Sequence, residues 1–297
     1  MLPRRSPLWY NPRMDETQLF AANAAQREYW NDRAGRTWAE FHPQLDRQIE
    51  PLGNAALAAL APVAGESILD IGCGGGQTSL DLAIRIGPAG TLVGVDISDL
   101  LLAVARQRPL PAGAAAIQFR LLDAQTADLG RAAFDAAYSR FGVMFFSDPI
   151  AAFANIRRAL KPAGRLCFVC WRPLQDNPWM QEPLAAVLAL LPPIPAADPL
   201  APGPFAFADP ARIRGILLAA GYAEPQIERF DALVGGGDLE ATVRLAQRVG
   251  PLGSVLREHP EYHDLITETV RRVVTPYLTP EGVLMRAGVW IVRAAVN

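Results

Sequence analysis

The chain has 297 residues, 51% of them apolar, enough to bury a sizeable core as one enlarged domain or as a core with a cap. A formal net charge of −2 and scattered rather than clustered arginines exclude a nucleic-acid binder that works by neutralising phosphates. Three cysteines, Cys73, Cys167 and Cys170, exclude a disulfide framework, and no apolar run reaches the roughly 18 residues of a membrane span, so a reducing, cytoplasmic setting is expected.

Residues 1–16 read as a poorly ordered arm. Arg4-Arg5 is not followed by an apolar stretch, so it is not an export signal. From Thr17 to about Ile49 two helical stretches carry Phe20, Tyr29, Trp30, Trp38 and Phe41. Two readings are open for these aromatics: they pack the helices onto the rest of the fold, or Tyr29, Trp30 and Trp38 form part of a lid over a ligand. Leu52 to Leu60 is an alanine-rich helix leading into the first strand.

Ser67 to Gly76 then forms an apolar strand, ending in Asp70 and Ile71, with a glycine-rich turn at Gly72, Gly74 and Gly76; a helix runs from Gln77 to Ile86. Glycine lets the main chain take positive φ and approach a ligand closely. A second strand, Thr91 to Asp96, ends in an acid about 20 residues on, and a carboxylate there can accept both hydroxyls of a ribose. The glycine spacing differs from the dinucleotide fingerprint, whose last two glycines stand three apart.

Alternation continues through Asp99–Arg106 (helix), Ile117–Leu122 (strand), Phe134–Ser139 (strand), Ile150–Leu160 (helix) and Arg165–Trp171 (strand). That pattern predicts an α/β fold with a parallel sheet and helices on both faces, with ligands at the carboxyl ends of the strands. Gly72, Asp96, Asp123 and Ser139 all fall at such ends, although Asp123 alone could also cap a turn. Cys167 and Cys170, three apart on a strand, point to opposite faces and read as core residues rather than metal ligands.

From Arg172 to Asp209 nine prolines forbid regular structure except for one helix, expected at Leu184 to Leu191. Pro210 to Ala220 is a helix capped by Gly221, Ile227 to Val234 a strand, Asp238 to Tyr277 helical, and Val289 to Val296 a last strand.

Between about Ile68 and Trp171 these residues resemble the class I S-adenosylmethionine-dependent methyltransferases, in their small-molecule branch. Asp70-Ile71-Gly72-Cys73-Gly74-Gly75-Gly76 resembles the methionine-binding loop, and Gly94-Val95-Asp96-Ile97-Ser98 the ribose-binding strand end. Asp123-Ala124 resembles the adenine-contacting pair, Phe134 to Ser139 the fourth strand, and Arg158 to Leu166 the helix-turn-strand into the fifth, with Ala163 where the family often has glycine. The resemblance implies a Rossmann-like, seven-stranded, mostly parallel sheet with an antiparallel last strand and a helical cap. It implies S-adenosyl-L-methionine as cofactor, contacted by Asp70, Gly72, Gly74, Gly76, Asp96, Ile97, Asp123, Ala124, Ser139, Tyr29 and Trp38. Asp70 is expected to act on the cofactor's amino group or to hold the glycine turn.

The expected activity is in-line methyl transfer to a small-molecule acceptor, with a base needed only if the acceptor arrives protonated. His42, His259 and His263 lie in no motif, so the catalytic assignment is open, with Arg140 a candidate for binding or orienting an acidic acceptor, or an ordinary ion-paired arginine. Phe141, Phe145, Phe146 and Trp171 line the acceptor side or belong to the core. A nicotinamide-dependent oxidoreductase would share the ribose acid but not the glycine spacing. A nucleic-acid methyltransferase would need a basic face, and a non-catalytic cofactor-binding protein on the same fold stays open. No metal is expected. The chain divides into residues 1–50, an arm with lid helices, and 51–297, the methyltransferase domain, with cap insertions at about 172–209 and 238–281. The expected partner is a small-molecule acceptor, with no nucleic acid, no membrane span, and a homodimer left open.

Overall fold

The computed structural model describes residues 20–192 and 198–296. The arm assigned to residues 1–16, and Pro193 and Pro195 of the proline-rich stretch, lie outside the described residues.

Three helices come first: α1 (Ala24–Asn31), α2 (Arg33–Glu40) and α3 (His42–Leu60). The alternating half follows as β1 (Ser67–Ile71), α4 (Gln77–Ile86), β2 (Thr91–Asp96), α5 (Asp99–Gln107), β3 (Ala116–Leu121), β4 (Phe134–Arg140), α6 (Pro149–Ala159) and β5 (Leu160–Trp171). The remainder is α7 (Pro178–Leu188), α8 (Pro210–Ala219), β6 (Gln226–Gly237), α9 (Leu239–Ala246), α10 (Gly250–Glu258), α11 (His263–Val274), the short β7 (Leu278–Thr279) and β8 (Gly282–Ala295).

One sheet runs in the order β3-β2-β1-β4-β5-β8-β6, with β7 beside β8. Strands β1 to β5 are parallel, and β8 lies antiparallel between β5 and β6. Chain order reverses between β1 and β4, which opens a crevice at their carboxyl ends, where such sheets receive ligands. The Rossmann-like sheet with its antiparallel last strand therefore stands as expected, with the two-residue β7 added.

Ile68, Leu69 and Ile71 of β1 are buried on both faces, as a central parallel strand requires. Cys167 Sγ donates to the Ala56 carbonyl of α3, and Cys170 Sγ to the Phe207 carbonyl, so the two cysteines do face opposite layers. Helix starts follow local chemistry. Ser98, Asp148, Asp209 and Asp238 accept a backbone N–H from the first turn of α5, α6, α8 and α9, and proline opens α6 and α8. A second apolar cluster, with Val187, Leu252, Ile266, Val270, Val283 and Met285, joins α7 and α9–α11 to the start of β8.

Several element boundaries differ from the sequence reading. Residues 42–60 form one helix rather than a stretch ending at about Ile49 and another from Leu52, because Leu45, Ile49, Leu52, Ala56 and Leu57 make one buried stripe on either side of Pro51. The helix expected from Leu184 begins at Pro178, since a proline in the first turn loses no hydrogen bond. Strands β6 and β8 start earlier or run longer than expected, because they pair with each other beyond the sheet body, up to Gly237 opposite Val283.

Candidate active site

The crevice at the switch point is walled by the glycine turn, the ends of β2, β3 and β4, and helices α1 to α3. Gly72 sits at φ 64°, and a Cβ there would stand 2.8 Å from the Cα of Gly142, so the loops after β1 and β4 meet backbone to backbone. Gly74 has open space before it, whereas a Cβ on Gly76 would strike Ala105 of α5 at 2.8 Å. Thus Gly72 and Gly74 line the crevice, and Gly76 is a packing position that starts α4.

Asp96 ends β2 with its carboxylate spread between two amides: Gly74 N–H donates to Oδ2 at 2.8 Å and Ser98 N–H to Oδ1 at 2.8 Å. Burial raises its pKa, while these amides and that of Ile97 oppose the shift. Each oxygen keeps a lone pair for a further donor. At the end of β3, Asp123 Oδ2 accepts from Asn23 Nδ2 at 2.8 Å and Oδ1 from Gln125 N–H at 2.9 Å; Ala124 follows it into the wall.

Asp70 and Ser139 do not line the crevice. Asp70 lies buried beneath the turn, where Oδ2 accepts the hydroxyls of Ser79 at 2.6 Å and Thr78 at 2.9 Å, while Oδ1 has no hydrogen-bond partner among the described residues. Burial pushes its carboxyl up to about 6, with the two hydroxyls and the Arg140 charge opposing. The Ser139 hydroxyl donates to the Ile71 carbonyl at 2.7 Å, tying β4 to the turn.

The N-terminal helices are stitched to the strand ends. Asn31 Nδ2 donates to the Ile97 carbonyl at 2.9 Å, Asp99 N–H to Asn31 Oδ1 at 2.8 Å, and the Ser98 hydroxyl to the Trp30 carbonyl at 2.6 Å. Trp30 packs edge-on against Tyr29, Trp38 and Phe145, all four facing the crevice. So the aromatics serve neither the sheet core alone nor a detached flap.

Arg140, just past β4, lines the crevice paired with Asp46 of α3 at 2.8 Å, and Asp46 also takes Arg108, whose Nη1 reaches Gln77 Oε1 at 2.7 Å. Arg140 is therefore both a wall residue and an ion-paired one. Phe141, the next residue, holds φ 62°, a rare conformation for a bulky side chain, and stacks on Trp171 with ring centroids 4.1 Å apart. Phe141, Phe145, Phe146 and Trp171 all line the crevice, and none of the three histidines does. No group of side chains among the described residues is arranged to hold a metal.

Sequence reasoning missed Asn23, Asp46, Trp179 and Met180, which come to the site from helices with no motif, and the wall at Val249 and Gly250. Only the run Gly235-Gly236-Gly237 left a visible signal beyond the motifs. It forms a bulge where a Cβ on Gly235 would stand 2.1 Å from the Val283 carbonyl oxygen, and it borders a second cavity of about 360 Å³ under the cap.

Residues 69–168 match a methyltransferase domain family. The chain is 34% identical over 177 residues to the O-methyltransferase cnsE of Penicillium expansum, covering 58% of this chain and 60% of that protein. It is 29% identical over 184 residues to the nocamycin O-methyltransferase of Saccharothrix syringae, covering 59% and 66%. The matched region thus spans less than two thirds of these relatives' own length. The fold also superimposes on a Haemonchus contortus phosphoethanolamine N-methyltransferase crystallised with S-adenosyl-L-methionine, at TM-score 0.56 and 17% identity, covering 91% of this chain and 59% of that one. Residues 69–168, which hold the glycine turn, Asp96 and Asp123, therefore carry a methyltransferase domain.

Proposed function

We propose that the protein transfers the methyl group of S-adenosylmethionine to an oxygen of a small-molecule acceptor. The observation that carries this reading is the convergence of the Gly72–Gly74 turn, the Asp96 carboxylate and Asp123 on one crevice. The fit to the cofactor is supported by room in front of Gly74, where a Cβ would find no atom closer than 4.0 Å, and by the spare lone pairs of Asp96. Asp96 would take the ribose hydroxyls, Asp123 and Ala124 the adenine edge, and the amides of the glycine turn the methionine end. Oxygen as the accepting atom is supported by two relatives named as O-methyltransferases.

Bound at the Gly72–Gly74 turn, Asp96 and Asp123, the cofactor would supply an electrophilic methyl on a positively charged sulfur, an already good leaving group. The chain's own part is orientation and exclusion of water, which for well-aligned reactants is worth effective molarities of ~10⁵ M or more. Trp30, Trp38 and Phe145 close the adenosine side; Phe141 and Trp171 present flat apolar walls elsewhere in the crevice. The Arg140 guanidinium offers donors only, so it contributes charge and position through Asp46. None of the three histidines faces the crevice, so the reading assigns no side chain as base.

We further assign residues 172–209 and 238–281 as a cap over the acceptor, with 1–50 as arm and lid and 51–297 as the catalytic domain. The two inserts hold α7 and α9–α11 around their own apolar cluster. No nucleic-acid partner is proposed, on the acidic net charge. A cytoplasmic setting is supported by three free cysteines, all buried. Among the described residues no helix is long and apolar enough to cross a membrane.

Calorimetric titration tests the reading: S-adenosylmethionine and S-adenosylhomocysteine bind and NAD does not, and the methyl-labelled cofactor passes label to hydroxylated small molecules. Binding of NAD in place of both sulfur nucleosides would sink it. Sedimentation velocity decides between monomer and the homodimer left open above.

A further inference from the structure

The cap cavity adjoins the crevice, with Trp179, Met180, Val249 and Gly250 lining both. Its floor is apolar, with Leu252, Val274 and Met285 from the cap core. Two arginines, Arg47 of α3 and Arg244 of α9, stand in its wall. Both are exposed, and neither makes an ion pair or hydrogen bond among the described residues; Arg244 acts on Glu240 only through its charge. Asp46, directly before Arg47, is held by Arg108 and Arg140, and Glu50, one turn on, is not within pairing distance. Glu240, one turn before Arg244, is bound through both oxygens by Arg271, at 2.9 Å each.

Among the described residues the only carboxylate in that wall is Asp238, and its Oδ1 accepts the Ala241 N–H at 2.7 Å as the cap of α9. Gln48 adds an Oε1 buried without a partner beside Arg47. A cavity with an apolar floor, two exposed arginines that make no ion pair among the described residues and one committed acid discriminates by charge. A neutral apolar ligand leaves the arginines unused, and a cationic one meets them with repulsion.

We propose that this cavity is the acceptor pocket and selects molecules with an apolar, ring-sized body that carry a carboxylate, which Arg47 and Arg244 hold. The carboxylate is the handle, not the accepting atom. Guanidinium groups suit it because their paired N–H donors match the two oxygens of a carboxylate. The assignment of the pocket to an acceptor rests on the methyl-transfer reading; the charge selection does not.

The test is direct binding of matched pairs: 2-naphthoate against 2-naphthamide, and biphenyl-4-carboxylate against its carboxamide, titrated with and without S-adenosylhomocysteine. Each carboxylate is expected to bind about tenfold tighter than its amide, and added salt should narrow the gap. In the double variant Arg47→Gln, Arg244→Gln the gap closes, while the amides and S-adenosylhomocysteine bind as before. Equal binding within the pairs, binding of neither member, or a preference that survives in the double variant overturns the proposal. Failure of the methyl-transfer reading is seen separately, as absence of sulfur-nucleoside binding, and leaves the carboxylate preference measurable in the titrations without that ligand.

Discussion

The two ends of the sheet treat charge in opposite ways. At the amino ends of the strands, Glu66 receives two bonds from Arg165, and Asp135 receives Lys161 and the Ser67 amide. Burial alone would raise both carboxyls, but these partners outweigh it and hold them below the usual range. At the carboxyl ends, Asp70 and Asp96 have hydroxyls and amides but no cation in contact, and burial prevails, so both are raised. Backbone strain is divided less cleanly: Gly72, Gly74, Gly76 and Phe141 take positive φ at the site end, yet Ala163 does so in the turn at the start of β5. One end is arranged for stability, and the other keeps polar groups incompletely satisfied where a ligand can complete them.

The sharpest way to break this contrast is Gly72→Ala. It places a Cβ at positive φ and 2.8 Å from Gly142, so strain and overpacking together should cost about 2–5 kcal/mol in urea unfolding and abolish cofactor binding. An unfolding midpoint equal to that of the unaltered protein would show that the two loops do not need their close approach.

Asp70 sets a pH signature. Its folded pKa, about 6, lies above the ordinary 3.8, so the native state holds the proton more tightly. Its contribution to stability is therefore full below about pH 4, falls as pH rises through 6, and is constant above. The fall is of order 3 kcal/mol by the conversion of about 1.4 kcal/mol per pKa unit. Asp70→Asn should remove it, read as the difference between the two stability-pH curves so that Glu66 and Asp135, which act with the opposite sign, cancel. Parallel curves would place the titration elsewhere.

Asp96→Ala removes the proposed ribose acceptor and leaves the Gly74 amide unpaired, so S-adenosylhomocysteine binding should weaken by roughly 1.5–3 kcal/mol in calorimetry. Arg165→Ala is its counterpart at the other end. That change strips two bonds to Glu66 and those to the Leu60 and Ala61 carbonyls, so about 1–2 kcal/mol of stability should go with ligand affinity untouched. An affinity change of equal size in Arg165→Ala would erase the division between the ends. The smallest effect is expected from Ala163→Gly, a gain of about 0.5–1 kcal/mol as the φ of 60° is relieved, against a slight entropic loss, seen as a raised Tm.

Much of the catalytic half was legible in the residues. The β1 run, the 72-74-76 glycines and Asp96 act through chain segments adjacent in sequence, and local backbone demands leave a local mark. Ala163 stands where the resembled family often has glycine, and its φ of 60° is the conformation that favours glycine. The role of Asp70 was readable only as a choice between ligand and turn. Its placement under Thr78 and Ser79 depends on how α4 leaves the loop.

The rest was decided by packing between distant segments. Pro51 reads as a break when taken alone, but the buried stripe of α3 carries the helix through it. The Asp46 bridge to Arg108 and Arg140 joins residues 62 and 94 positions apart, and Asn23 finds Asp123 across 100. Such pairs have no period and no motif, because each side chain is an ordinary surface residue until the tertiary fold removes its water and supplies its partner. Sequence by itself determined the alternating sheet, the glycine turn and the acid that follows it, since those rest on backbone conformation and hydrophobic period. Only the tertiary structure decided which arginines are spent in ion pairs and which, like Arg47 and Arg244, are left facing a cavity. That depends on where α3, α9 and α11 bring their carboxylates.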